Sequence, residues 1–133
     1  MTKIDKLLKL KMHDLNIAKN KLAQIEASIK GKNEEIDALK REFKELKIPP
    51  NGASKDFKII EDAKKSLLFN INQEKSILLD LKEEKEHFQA AYKSAYIELE
   101  KVKYMHKIEL KNREVILKKQ EQKLNDEHRS KET

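Results

Sequence analysis

The side chains that most often carry chemistry in proteins are few in this sequence. It has no cysteine, so disulfides, thiolate metal sites and thiol nucleophiles are excluded. Its four histidines do not stand at metal-ligand spacing from one another. The sequence shows no glycine-rich phosphate loop, nucleophile elbow or paired-carboxylate cleft pattern. We therefore predict a protein that is not an enzyme, with no catalytic residue, no metal site and no cofactor. The histidines are His13, His87, His106 and His128.

Charged residues dominate the composition and indicate a long helix. They make up 41% of the 133 residues, with both signs interspersed, and there are only two glycines and two prolines. Such a mixture is typical of coiled coils. Disorder is the competing interpretation of so charged a chain, and the regular apolar spacing described below argues against it.

The net charge of +6 lies mostly at the two chain ends. Residues 1–20 and residues 103–133 each carry a net charge of +3. A basic excess can contact phosphates, but acidic residues are interleaved and no aromatic residues line a basic groove. We expect no nucleic-acid binding, and a basic helical nucleic-acid binder remains the least favoured alternative.

No segment of the sequence has the length and apolarity of a membrane span. No apolar run is longer than three residues, as in Ile77-Leu78-Leu79, and the first residues lack a run of signal-peptide length. We therefore expect a cytoplasmic protein that reaches a membrane only through its partners.

A heptad pattern defines the first helix. Apolar residues recur every seven positions from Leu8 to Phe43, and eleven of thirteen positions in the two interleaved rows are apolar. This pattern predicts a coiled-coil seam. Thr2 and Asp5 resemble an N-cap followed by an acidic first turn. The thirteen seam positions are Ile4, Leu8, Lys11, Leu15, Ala18, Leu22, Ile25, Ile29, Lys32, Ile36, Leu39, Phe43 and Leu46.

The segment Ile48-Pro49-Pro50-Asn51-Gly52 interrupts the pattern. Two prolines remove backbone donors, and Asn-Gly tolerates positive φ, so we predict a turn. Ser54 is then the expected N-cap of a second helix, with Asp56 in its first turn.

The second helix repeats the apolar period as far as Val102. Eleven of its fourteen seam positions are apolar, and a tight turn would set Ile4 opposite Leu99 and Phe43 opposite Ile60. Lys32 and Glu74 then fall in adjacent layers and could pair, either to fix the register or as a tolerated exception. The fourteen positions are Phe57, Ile60, Lys64, Leu67, Ile71, Glu74, Leu78, Leu81, Lys85, Phe88, Tyr92, Ala95, Leu99 and Val102.

These patterns predict the fold. We expect an all-α chain, a two-helix antiparallel coiled-coil hairpin in which the second helix continues past the end of the first as a long C-terminal overhang. The single predicted domain covers residues 1–133, with helix 1 at about 3–47, a turn at 48–54, helix 2 at about 55–128 and a flexible tail at 129–133.

Apolar residues outside the seam are the candidate binding sites. On helix 2 we predict a protein-binding patch on the face opposite the seam. The alternative is that these are scattered exposed apolar residues of the kind that any protein surface carries. Beyond the part of helix 2 that pairs with helix 1, leucines seven residues apart predict a stripe that docks on another protein. The alternative interpretation is that this end of helix 2 is only marginally stable and has no docking role. On helix 1, Leu7, Leu10 and Ile17 form a further stripe, suited to a partner or to self-association. The patch comprises Leu68, Phe69, Asn72, Ser76 and Leu79, and the stripe comprises Leu110, Leu117 and Leu124.

The second half of the chain resembles the FliJ family of flagellar type III export proteins. Ala95 followed by Leu99-Glu100-Lys101-Val102 is similar to a small-residue, then leucine-glutamate-lysine-aliphatic stretch of that family. Glu121-Gln122-Lys123-Leu124-Asn125-Asp126-Glu127 resembles its closing segment. The good match covers about residues 92–129. The rest of the chain resembles the family only in its arrangement of two helices, the second longer than the first.

The resemblance implies a cytoplasmic component of the flagellar export apparatus, peripheral to the inner membrane. Members resemble the stalk of rotary ATPases, bind the export ATPase (FliI-like) and its ring, contact the export gate protein (FlhA-like) and escort export chaperones. It also implies a gate contact in the turn-proximal half of helix 2, where Phe69 lies. A generic coiled-coil scaffold, or the stalk of a non-flagellar type III secretion system, is the alternative.

Overall fold

The protein consists of two long helices. The computed structural model describes residues 2–47, 52 and 54–132, with side chains as far as residue 130. Helix α1 covers Lys3–Glu45 and helix α2 covers Ser54–Glu132, and no strand occurs among these described residues. The all-α fold class predicted from the heptads is confirmed, and the two helices are consistent with an antiparallel hairpin. Most of the predicted turn, residues 48–51 and 53, lies outside the described residues.

Helix α1 begins with a reciprocal capping box. The Thr2 amide donates to Asp5 Oδ2 at 3.0 Å, and the Asp5 amide donates to Thr2 Oγ1 at 3.1 Å. Two of the amides that a helix N-terminus leaves without intrahelical partners are thereby satisfied. The N-cap predicted from the Thr2 and Asp5 spacing is thus present in the structure.

Helix α2 is longer than the sequence analysis predicts. It starts at Ser54, has Asp56 in its first turn and continues through Glu132. No glycine or proline follows Gly52, so nothing in the sequence forces the helix to stop near residue 128. The backbone is helical as far as Glu132, and the predicted flexibility of residues 129–133 stays a prediction.

The chain divides into two compact units. The central unit is Ala18–Ala91, and the terminal unit combines Met1–Ile17 with Tyr92–Thr133. Each helix contributes residues to both units, and each unit is described separately below.

The central unit buries the predicted seam. Ile25, Ile36 and Ile71 are its most buried apolar residues, and almost every other seam position is half-buried. Burying one such side chain contributes about 1.5–3 kcal/mol, so packing the two helices together is favoured over exposing each helix to water on its own. Phe57 is the exception to the prediction, because its side chain is 53% exposed.

The terminal unit buries a shorter seam. Leu99 and Val102 of α2 are buried, while Ile4 and Leu8 of α1 are half-buried. On α2 the half-buried positions continue beyond Val102 to His106 and Glu109. These two residues keep the seam spacing but are polar, so the apolar period alone does not reveal them. From Leu110 to Ser130 every side chain is exposed, and we call this segment the overhang.

The helix register in the central unit differs from the predicted one by about a turn. The sequence sets Phe43 opposite Ile60, whereas the structure places Lys64 Nζ 5.9 Å from the centre of the Phe43 ring. Moving four residues along a helix reaches the next position on the same face. The apolar pattern therefore fits both registers, and it does not choose between them.

Candidate protein-binding surfaces

The patch predicted on helix α2 lies on the exposed side of the central unit. Phe69 is 61% exposed and Leu79 is 62% exposed, and Leu68, Asn72 and Ser76 are exposed as well. We call these five residues the outward patch. Neighbouring Leu67 and Ile71 are turned into the seam, and successive residues on a helix point about 100° apart. The same helix therefore packs with one face and presents an aromatic and two leucines on another.

The overhang carries the predicted leucine stripe on its surface. Leu110 is 47%, Leu117 is 58% and Leu124 is 65% exposed. Exposure increases toward the end of the helix, where no part of α1 in the terminal unit covers these side chains. A row of leucines seven apart on one helix is a surface that another helix or a groove can cover.

The stripe predicted on helix α1 is less uniform. Leu10 and Ile17 are exposed, but Leu7 is half-buried. Leu7 therefore contributes partly to the packing of the terminal unit. The surface that remains on α1 is narrower than the sequence analysis predicts.

A carboxylate joins the start of α1 to α2 in the terminal unit. Asp5 Oδ1 lies 3.1 Å from His106 Nε2, while Asp5 Oδ2 accepts the Thr2 amide. Hydrogen bonds from the backbone and then the side chain of Thr2, together with His106, hold the pKa of Asp5 below its usual value of 3.8. The histidine spacing in the sequence tests His106 only as a metal ligand and does not predict this contact. Its position four residues after Val102 was the signal that it continues the seam.

An ion pair crosses the seam of the central unit. Lys32 Nζ lies 2.5 Å from Glu74 Oε2 and 3.0 Å from Glu35 Oε2. Only 19% of the Lys32 side chain and 26% of the Glu74 side chain are exposed. The hydrogen bonds that Lys32 donates to Glu74 and then to Glu35 raise the pKa of Lys32 above its usual 10.5. The pairing of Lys32 with Glu74 predicted from the sequence is therefore present.

The other seam lysines of the central unit also reach partners. Lys64 lies over the Phe43 ring, and Lys85 Nζ is 3.9 Å from Glu26 Oε1. Both lysines occupy half-buried seam positions on α2, and 34% of the Lys85 side chain is exposed. A lysine at a seam position is thus tolerated here because its charged end finds an acidic or aromatic neighbour.

Phe57 belongs to the surface near the start of α2. It lines a groove together with Gly52, Ser54, Lys58 and Glu61, and the adjacent Ile59 is 66% exposed. Helix α1 ends at Glu45, so little of α1 remains beside the first turn of α2. The heptad spacing could not predict that Phe57 is exposed. It identifies which face of α2 packs, but not how far along α2 the partner helix α1 extends.

Neither a metal-binding cluster nor a membrane-spanning stretch occurs in the described part of the chain. Residues 2–47, 52 and 54–132 contain no group of three histidine, aspartate or glutamate side chains arranged to hold a metal ion. Within the same residues, neither helix has a stretch apolar enough to cross a bilayer.

Two helices that bury a narrow seam and present apolar residues on their outer faces define a coiled-coil hairpin protein. The sequence matches the family model described as flagellar FliJ protein over residues 1–132, and the chain belongs to the FliJ family. No curated protein and no solved structure matched the chain. The resemblance found in residues 92–129 is thereby confirmed, and it extends over almost the entire sequence.

Family membership assigns the general role. The FliJ family belongs to flagellar export, so the partners of this chain belong in general to the flagellar export apparatus.

Proposed function

We propose that this chain binds the ring of the export ATPase as a stalk and connects that ring to the export gate protein and the export chaperones. It acts in the cytoplasm and is held at the cytoplasmic face of the inner membrane through these partners. The proposal extends the family role to particular partners and to particular surfaces of the chain.

The exposed leucine stripe of the overhang is the observation that carries the ATPase part of the proposal. Leu110, Leu117 and Leu124 are exposed along a segment that makes no seam in the terminal unit. Exposed apolar area of this kind is costly in water and is typical of a surface that a partner covers. Residues 103–133 also carry a net charge of +3, which favours approach to an acidic partner surface.

The outward patch supports the gate part of the proposal. Phe69 and Leu79 offer an aromatic anchor and an aliphatic neighbour, and Asn72 and Ser76 add hydrogen-bonding groups between them. Interfaces commonly combine a central apolar anchor with polar groups around it. The outward patch and the overhang stripe lie in different units, so the two proposed contacts can be tested with independent variants.

The ATPase contact is tested by stimulation of the purified export ATPase from the same cell. The test variant combines Leu110→Ala, Leu117→Ala and Leu124→Ala. Alanine keeps helix propensity high, so the overhang stays helical while its apolar stripe is removed. We expect the wild-type chain to raise ATP turnover and the variant to need roughly tenfold or more protein for the same stimulation.

A matched control uses the same segment and spacing. Asn112→Ala, Lys119→Ala and Asp126→Ala change three exposed residues seven apart without altering the net charge. This control should stimulate like the wild type. If the wild-type chain left ATP turnover unchanged, the stalk proposal would be wrong, and equal losses in both variants would reject the leucine stripe as the contact.

The gate contact is tested by binding of the gate protein's cytoplasmic part. Phe69→Ala with Leu79→Ala removes the two most exposed apolar side chains of the outward patch. Phe57→Ala with Ile59→Ala likewise removes one phenylalanine and one branched aliphatic residue at similar exposure, nearer the start of α2. We expect the first pair to weaken binding by roughly tenfold or more and the second pair to leave it unchanged. Unchanged binding and motility in the first variant would eliminate the outward patch.

A further inference from the structure

We infer that the Lys32–Glu74 ion pair fixes the register of the two helices in the central unit, by making slipped pairings leave half-buried charges without partners. The pair joins two seam positions, one on each helix, and both side chains are largely shielded from solvent. Its role is therefore to select one alignment among several that the apolar pattern allows.

The apolar pattern of the central unit permits slippage. Apolar residues recur every seven positions on both helices, so a slide of one heptad again sets apolar rows against each other. The observed alignment also differs by about a turn from the one that the apolar residues suggest, as the Lys64 contact with Phe43 shows. The short connection between Glu45 and Ser54 limits how far the helices can slide, and a polar contact inside the seam can distinguish the native register from its neighbours.

Glu74 is suited to that task because it is the only acidic residue among the predicted seam positions. A slide of one heptad in either direction would move Glu74 to the level of Ile25 or Leu39. The same slides would move Lys32 to the level of Leu67 or Leu81. Each slipped register thus leaves a carboxylate and an ammonium group in a half-buried apolar layer, which is strongly unfavourable.

The other charged contacts of the seam are less selective. Lys85 reaches Glu26 at 3.9 Å, with half of the Glu26 side chain exposed, and Lys64 interacts with a ring. Exposed pairs of this kind contribute little, since water solvates either partner when the contact is broken. Lys32 and Glu74 are the most shielded ion pair between the helices in the described residues.

The inference is tested by measuring register directly with spin labels. The chain has no natural cysteine, so Asn33→Cys with Lys75→Cys gives two unique exposed labelling sites beside the ion pair. In the native register the labels are nearly level, and the distance between them should be short and narrowly distributed. A slip of one heptad displaces one label along the helix axis by roughly 10 Å.

The test variant is Lys32→Leu with Glu74→Leu in the labelled background. Its seam becomes apolar, so we expect circular dichroism to show unchanged helicity and the unfolding temperature to stay the same or rise. The label distances should broaden and include a second population shifted to longer values. A single narrow distance, as in the wild type, would overturn the inference, and so would loss of helicity, because the pair would then be needed for folding and not for register.

A charge-reversed variant is the matched control. Lys32→Glu with Glu74→Lys restores the ion pair with its charges exchanged. Glu35→Lys is added so that residue 35 still forms an ion pair with residue 32. We expect this variant to recover the single wild-type distance. A broad distribution in this folded variant would show that pairing of the two charges does not set the register, and would reject the inference independently of the leucine variant.

Discussion

Individual polar side chains link the two helices at positions that the apolar pattern does not mark. Asp5 uses one carboxylate oxygen in the capping box of α1 and the other toward His106 of α2. The start of one helix is therefore stabilised by the other helix as well as by its own residues. The spacing of Thr2 and Asp5 predicts the cap, because the cap is local in sequence, but it does not predict the partner 101 residues away.

The lowered pKa of Asp5 predicts a pH-dependent contribution to stability. A carboxyl whose pKa is lower in the folded state stabilises the fold above its unfolded pKa, and this stabilisation disappears as the pH falls through the folded value. We expect Asp5→Ala to lower the unfolding temperature at pH 7, and the difference from wild type to shrink as the pH falls below 3.8. Thermal unfolding followed by circular dichroism measures both.

The exposed Asp37 of the same helix provides the control for this prediction. Asp37→Ala should change the unfolding temperature little at pH 7. If the Asp5→Ala difference stayed constant into strong acid, its cause would not be the ionised carboxylate.

Gly31 offers a second test of single-residue effects. It lies within α1, no described glycine has a positive φ, and a Cβ at this position would meet no atom within 4 Å. Glycine in a helix interior costs roughly 0.5–1 kcal/mol relative to alanine. Gly31→Ala should therefore raise the free energy of unfolding by about that amount, measured by urea denaturation.

The opposite change at a nearby exposed position is the matched control. Ala27→Gly should lower the free energy of unfolding by a similar amount, because here the lower helix propensity of glycine is introduced and not removed. A destabilising Gly31→Ala would mean that residue 31 is in contact with something that the folded chain alone does not contain.

At the scale of the helices, the apolar period identified the packed face correctly. All thirteen seam positions predicted for the first helix are buried or half-buried, including Leu46 just beyond the end of α1, and so are all those of α2 except Phe57. The period succeeds because 3.5 residues per turn is a local property of a helix that packs against one partner. It fails at Phe57, where packing depends on whether α1 extends far enough to cover it.

Packing differences along the seam predict graded effects of truncation. Ile36 is 4% exposed, whereas Leu22 is only half-buried. We expect Ile36→Ala to cost about 2–4 kcal/mol and Leu22→Ala clearly less, because the cost rises with the apolar contact that is lost. Urea denaturation of the two variants would decide this, and equal losses would show that burial along the seam does not set the energetics.

At the scale of the whole molecule, the overhang predicts that function and stability can be separated. Every side chain from Leu110 to Ser130 is exposed, so this segment adds little packing energy to the terminal unit. Deleting the residues after Asn112 should leave the unfolding temperature almost unchanged and abolish stimulation of the export ATPase. Thermal unfolding and the turnover assay are the two measurements.

A large fall in the unfolding temperature of the truncated chain would contradict this prediction. It would indicate that the overhang is covered in solution, for instance by a second copy. A concentration-dependent unfolding temperature of the full-length chain would then be expected.

The candidate surfaces were predictable to the extent that they depend on which face of a helix is packed. Phe69, Leu79 and the overhang leucines lie outside the seam rows, and the structure shows them exposed. The partners of these surfaces were suggested by family resemblance. Nothing in apolar spacing distinguishes an ATPase from a gate protein, since both would cover the same kind of side chain.

The sequence by itself determined the two helices, the seam face, the cap at Thr2 and Asp5, and the pairing of Lys32 with Glu74. Each follows from spacing within a helix or from two charges placed among apolar rows. Only the tertiary structure decided that Phe43 contacts Lys64, that Asp5 contacts His106 and that Phe57 is exposed. These depend on how far one helix lies along the other, and a pattern that repeats every seven residues looks the same after a slide.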